Sequence, residues 1–231
     1  MRRTLTWLSI AALLGVGGTA LAQALPALTA GAPPSDGTIA PDPALTLHVA
    51  EPSEIIIDAV ATGVDAQLRL MHDGSFVAED SDSGDGVNAR LDQFLAPGDY
   101  QVIVYEYQYR AMSASVSAAV APPMTPVATI TPGATAAAIQ TPEGDWARAA
   151  SVEVGLDVAT AGDYRLTAAS TDAQCSPEIT VIQNHAVQGF TITSSSGQPA
   201  SDTRTLGAGH YTLRIRNWWN HPCAMSVTVT Q

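Results

Sequence analysis

Lysine is absent from all 231 residues: the ten basic residues are arginines, set against 22 Asp and Glu for a net charge of −12. So few positive groups cannot build the cationic face that neutralises phosphates, which excludes nucleic acid as a partner. An anionic membrane surface would repel the chain as well, and the plain account of the acidity is solubility. Long apolar runs are also missing, since nothing after residue 22 approaches the ~20 apolar residues of a membrane span. Catalytic signatures are missing too. There is no G-x-S-x-G elbow, H-E-x-x-H pair, P-loop or paired C-x-x-C. The five histidines, His48, His72, His185, His210 and His221, fall in no metal-ligand spacing. The expectation is a protein that is not an enzyme and needs no cofactor. A hydrolase whose site carries no motif stays open, because sequence cannot show two carboxylates converging on one cleft.

What is present begins with an address. Arg2 and Arg3, the apolar run Leu8 to Val16 and the small residues Ala20-Leu21-Ala22 read as a secretory signal peptide over 1–22. Its removal takes the net charge to −14 and leaves Gln23 first. No Cys follows the cleavage site, so no lipoprotein anchor is expected, and the product should be secreted or periplasmic without membrane insertion. Two stretches rich in Pro, Ala, Thr and Gly, 23–43 and 122–143, read as linkers, since proline removes backbone donors and favours extended conformers. They leave two bodies, 44–121 and 144–231, each long enough for a small core.

The bodies are copies. LAPGDYQVIVY (95–105) and LGAGHYTLRIR (206–216) stand 111 residues apart. Without gaps the same offset sets Leu45 on Leu156, Leu47 on Val158, Ile55 on Leu166, Leu68 on Ile179, Leu70 on Val181 and ASVS (114–117) on MSVT (225–228). This is the mark of an internal duplication. Within each copy apolar residues recur with period 2, as in Tyr100, Val102, Val104 and Tyr211, Leu213, Ile215. Asp73-Gly74 divides QLRLMH from SFVAE as a type I′ hairpin would. The fold class is therefore all-β: two tandem antiparallel β-sandwiches, jelly-roll-like, after a signal peptide.

The order of DAQLRL, the Asp-Gly turn, an acidic Gly-rich loop, NARL and LAPGDY resembles the bacterial pre-peptidase C-terminal domain family. The likeness covers about 44–121. The second copy keeps Leu206, Gly209 and Tyr211 but has SSSGQPASD in place of the acidic loop. The resemblance implies a small jelly-roll-like sandwich serving as an accessory or binding module of exported enzymes, here without a peptidase domain. Collagen-binding relatives carry calcium, and the acidic loop offers Asp80, Asp82 and Asp85 as hard oxygen ligands, though their spacing fails the EF-hand pattern. A solvated turn is the alternative.

The two cysteines, Cys175 and Cys223, fall by the offset on Val64 and Met112, an apolar pair that suggests contact. A disulfide in the second domain is expected in an exported chain. In YEYQYR, Tyr105, Tyr107 and Tyr109 alternate and should project from the face opposite the core, while RNWWN puts Trp218 on Tyr107 with Trp219 beside it. Such aromatics suit stacking on extracellular polysaccharide or protein. Packing against the other domain or a second molecule is the alternative. The function expected is an exported, non-catalytic accessory or binding protein; a structural or assembly protein of the cell envelope is the other reading.

Overall fold

The computed structural model describes residues 27–29, 35–39, 44–109, 112–188, 192–193 and 195–231; the expected signal peptide lies outside them. The first nine strands are β1 (Ala27–Thr29), β2 (Ser35–Ile39), β3 (Ala44–Val49), β4 (Ser53–Ala61), β5 (Ala66–His72), β6 (Ser75–Asp80), β7 (Ala89–Leu95), β8 (Gly98–Glu106) and β9 (Met112–Val120). They form two sheets, ordered β1-β3-β8-β5-β6 and β2-β9-β4-β7. Ten more follow: β10 (Ala128–Ile130), β11 (Ala137–Thr141), β12 (Ser151–Val158), β13 (Gly162–Ala169), β14 (Pro177–Gln183), β15 (Ala186–Val187), β16 (Ile192–Thr193), β17 (Ala200–Leu206), β18 (Gly209–Asn217) and β19 (Cys223–Thr230). Their sheets run β10-β12-β18-β14-β15, with β16 also on β14, and β11-β19-β13-β17. Strand for strand, one order repeats the other. Apart from Pro52–Glu54, which group with the second, the chain divides between Ala121 and Pro122 into two compact units.

Each core lies between the two sheets of its own unit, where period-2 alternation sends every second side chain inward. In the first, Leu47, Leu68 and Val102 of one sheet meet Ile57, Leu91 and Val116 of the other. In the second, Leu156, Ile179 and Leu213 meet Leu166, Val227 and Val229. The fold is all-β and largely antiparallel, with a parallel exception in each unit: β1 runs parallel to β3, and β10 to β12.

That exception corrects the reading of 23–43 and 122–143 as linkers without packed elements. Each supplies two strands, all four at the edge of a sheet. The prolines flank these strands rather than interrupt them, and an edge tolerates a missing donor nearby. Ile130 and Ile139 from the second stretch are buried in the core.

The duplication register also needs a correction. Leu47 lies opposite Tyr100 and Leu156 opposite Tyr211, so β3 and β12 correspond at an offset of 109 rather than 111. By the same pairing logic Ile57, opposite Ala118, matches Leu166, opposite Val229. The extra two residues sit in 171–176, which replaces 62–65. The corrected register exposes an exchanged pair. His48 Nδ1 meets Asp99 at 2.7 Å across β3 and β8, and the same two positions of β12 and β18 hold Asp157 and His210, also paired.

The hairpin turn is as expected, with Asp73 at φ 49° and Gly74 at φ 74°. The second unit makes the same turn without glycine, placing Asn184 at φ 51° and His185 at φ 59°.

Candidate functional site

Where β8 ends at Glu106, a turn built on backbone contacts carries two aromatics into solvent. Tyr107 N donates to Asp65 O at 3.2 Å, and Tyr109 N to Glu106 O at 2.6 Å, with Tyr109 at φ 57°. The second unit repeats these contacts 111 residues on. Trp218 N donates to Ser176 O at 2.9 Å and Asn220 N to Asn217 O at 2.8 Å, with Asn220 at φ 58°. The turn is anchored from below. Buried Glu106 accepts from Gln108 N at 2.8 Å, and fully buried Asn217 accepts from Ser176 N at 2.8 Å while donating to His221 O. The exposed fractions are 64% for Tyr107, 58% for Tyr109, 50% for Trp218 and 60% for Trp219. Rings this open, held by a stiff turn, offer large contact area at low entropic cost.

Tyr105 is not among the exposed rings, which corrects the expectation that all three tyrosines point into solvent. It lies on the outer side of β8, as alternation requires, but is only 5% exposed. The positive φ at Tyr109 folds the chain back, so the Tyr109 ring stacks on Tyr105 with centroids 5.5 Å apart and planes at 10°. The Arg69 guanidinium lies 5.3 Å from the Tyr105 ring centre, and Arg69 Nε pairs with Glu79 at 3.1 Å. The Tyr105 hydroxyl donates to the Glu79 carboxylate. Burial first, then this bond, pushes the phenol up to about 12. The bonds from Arg69 and then Tyr105 hold the Glu79 carboxyl below its ordinary range. Tyr105 is thus the support on which Tyr109 is displayed.

The matching position of the second unit is Arg216. Its guanidinium sits 5.0 Å from the Trp218 ring centre and reaches Glu178 at 2.8 Å, while Trp219 Nε1 donates to Ser196 Oγ at 3.1 Å. Both turns therefore rest aromatic surface on a paired arginine. Sequence reasoning missed Arg69, Glu79, Glu178 and Arg216, although the 111-residue offset that aligned Tyr107 with Trp218 also aligns Tyr105 with Arg216.

The acidic loop is stitched by its own side chains. Asp80 Oδ2 accepts from Ser83 N at 3.0 Å and Arg90 N at 2.9 Å, Asp82 accepts from Ser81 Oγ, and Asp85 uses its backbone oxygen to accept from Asn88. Among the described residues no group of three His, Cys, Asp or Glu is arranged to hold a metal ion. The disulfide is present: Cys175 and Cys223 are bonded with Cα atoms 6.0 Å apart, tying the loop before β14 to the start of β19. Among the described residues no helix is long and apolar enough to cross a membrane.

No protein-family model and no curated protein matches the chain. Among solved structures, it is similar to the pre-peptidase C-terminal domain of collagenase from Bacillus anthracis, at 12% identity and a TM-score of 0.38, over 47% of this chain and 100% of that one. It is also similar to the CUB1-EGF-CUB2 domain of human MASP-1/3, at 8% identity and a TM-score of 0.27, over 87% and 97% of the two chains. An isomalto-dextranase from Arthrobacter globiformis, complexed with panose, matches at 12% identity and a TM-score of 0.25, over 85% of this chain and 36% of that one.

Proposed function

We propose that this protein is an exported, non-catalytic binding module, a tandem pair of domains of the pre-peptidase C-terminal kind, that contacts extracellular glycan or protein through its aromatic turns. The observation that carries the reading is the turn made twice. Both copies keep the same backbone contacts and the same positive-φ residue, and both use them to expose rings, Tyr107 and Tyr109 in one and Trp218 and Trp219 in the other. Rigid aromatic anchors of this kind dominate binding energy where they meet a partner. The excess of acids over arginines favours stacking and hydrogen bonding over cationic contact. The disulfide and the leader-like first 22 residues support export.

Retention on immobilised polysaccharides and extracellular-matrix proteins tests the proposal. Trp218→Ala and Tyr107→Ala should each weaken retention on the cognate polymer by ~1–3 kcal/mol while the thermal midpoint holds. Substitutions that lower stability, with no retention to lose on any polymer, would leave the rings as packing surface and favour a structural or assembly role.

A further inference from the structure

The two units differ at one repeated corner, and in the second a cavity lies beside it. In the first unit the His72 ring lies on Tyr100, with centroids 4.4 Å apart and planes at 22°. A Cβ on Gly98 would come within 2.9 Å of His72 Nε2, so the imidazole fills the space over this turn. The second unit rebuilds the frame. Tyr211 donates to Gly207 O at 3.1 Å as Tyr100 donates to Ala96 O at 2.9 Å, and Gly209 sits at φ 152° where Gly98 sits at 156°. At the position of His72 stands Gln183, whose carboxamide nitrogen lies over the turn as the imidazole does, 3.2 Å from where a Cβ on Gly209 would sit; a cavity of about 690 Å³ with Gln183 in its lining lies beside Tyr211. That volume lies within the ~300–1,000 Å³ of small-molecule sites.

The lining sets the chemistry. Gln183, Gln188 and Arg204 line the cavity, and β17 alternation puts Thr203 and Thr205 in its wall with their side chains on the strand's other face. Carboxamides both donate and accept hydrogen bonds, which is what the hydroxyl groups of a sugar do in return. The Arg204 guanidinium already faces Asp202 at 2.8 Å. The cation is thus balanced by a carboxylate, an arrangement that disfavours anions. We propose that this cavity is a binding site for a neutral saccharide residue. It lies at the start of β18, whereas Trp218 and Trp219 follow its end, so the site is separate from the aromatic turns and does not depend on their role.

Calorimetric titration of the full chain with glucose, galactose, mannose, N-acetylglucosamine and cellobiose, and with glucuronate as the anionic control, tests the assignment. At least one neutral sugar should saturate with Kd tighter than ~10 mM, and glucuronate should bind more weakly. Gln183→His, which restores the residue of the first copy, should weaken that sugar about tenfold or more, whereas Phe76→Ala, at an exposed position of the first unit, should leave it unchanged. Gln183→Ala, which needs no room for a ring, should weaken it too and serves if the histidine variant fails to fold. No saturation by any neutral sugar, tighter binding of glucuronate, or wild-type affinity in the folded Gln183 variants would overturn the proposal. Loss of sugar binding in Trp218→Ala alone would move the site to the turn and overturn it equally.

Discussion

The first copy carries an instruction for removing the disulfide without removing its packing. Val64 and Met112 stand where the second copy has Cys175 and Cys223, and Met112 is buried while Val64 packs against the same core. The double substitution Cys175→Val/Cys223→Met therefore replaces a cross-link by an apolar pair that the fold has already accommodated once. The cysteines are 48 residues apart and both buried. A closed loop of that size restricts the unfolded chain by ~4 kcal/mol on the chain-entropy estimate. For a domain of about 100 residues this is a fall of about 15 to 30 °C in Tm, a large part of an ordinary stability of ~5–15 kcal/mol. Cys175→Ala/Cys223→Ala should fall further by about 2 kcal/mol, because it also leaves a cavity. Calorimetry measures the loss, and hydrogen exchange read by mass spectrometry locates it: amides of β14 and β19 should lose protection while those of β5 and β9 keep theirs. A Val/Met variant that melts within ~1 kcal/mol of the parent would refute the entropic argument. Equal loss of protection in both units would refute its assignment to the second.

In an ultraviolet titration the Tyr105 phenol should ionise well above the ordinary tyrosine range, at a pKa of about 12. Its folded pKa lies above the unfolded value of ~10, so its stabilisation is whole below pH ~10 and is lost as pH rises toward 12; Tyr105→Phe should abolish that alkaline slope. Glu79 has the opposite sign: its lowered pKa contributes stability above pH ~4.3 that disappears as pH falls, and acid melts of Glu79→Gln should lack this component. His185→Gly should raise the midpoint of chemical denaturation by relieving about 1 kcal/mol of left-handed strain; a lower midpoint would show that the His185 side chain contributes more than its backbone costs. If Asp80, Asp82 and Asp85 take calcium, millimolar Ca²⁺ should raise Tm by mass action and Asp82→Asn should cancel the rise; identical melts in Ca²⁺ and in chelator would remove the cation from this loop.

Period-2 alternation and turn chemistry made the sheets, the Asp73-Gly74 hairpin and the core positions legible in the sequence. The same period hid one error. Offsets of 109 and 111 differ by two, and a slip of two residues returns every side chain to its own face. Leu45 over Leu156 therefore read as well as Leu47 over Leu156, and only the strand pairing separates them. The linker strands were illegible because three to five residues between prolines carry too little pattern to be told from coil. At the site, Tyr107 and Trp218 were visible through the repeat, but the burial of Tyr105 depends on Tyr109 folding back at positive φ, which a tyrosine does not announce. The cavity beside Tyr211 depends on residues from β14, β17 and the β17–β18 turn, a juxtaposition that no local pattern contains.

The strands drawn from the proline-rich stretches bear on how such a chain can grow. An uncovered sheet edge invites pairing with a neighbouring molecule, and here the residues ahead of each sandwich supply the outermost strand of both its sheets. What gene duplication copied was therefore a body together with its own borders. Each repeat arrives with a short, proline-flanked strand as the border at one edge of both its sheets, and a short edge is a poorer template for pairing with a sibling than a long one. A proteolytic cut just before Ala44 or just after Thr141, with loss of the released strands, would reverse this: β3 with β9, or β12 with β19, would be newly open to self-association, and the second core would lose Ile130 and Ile139 as well.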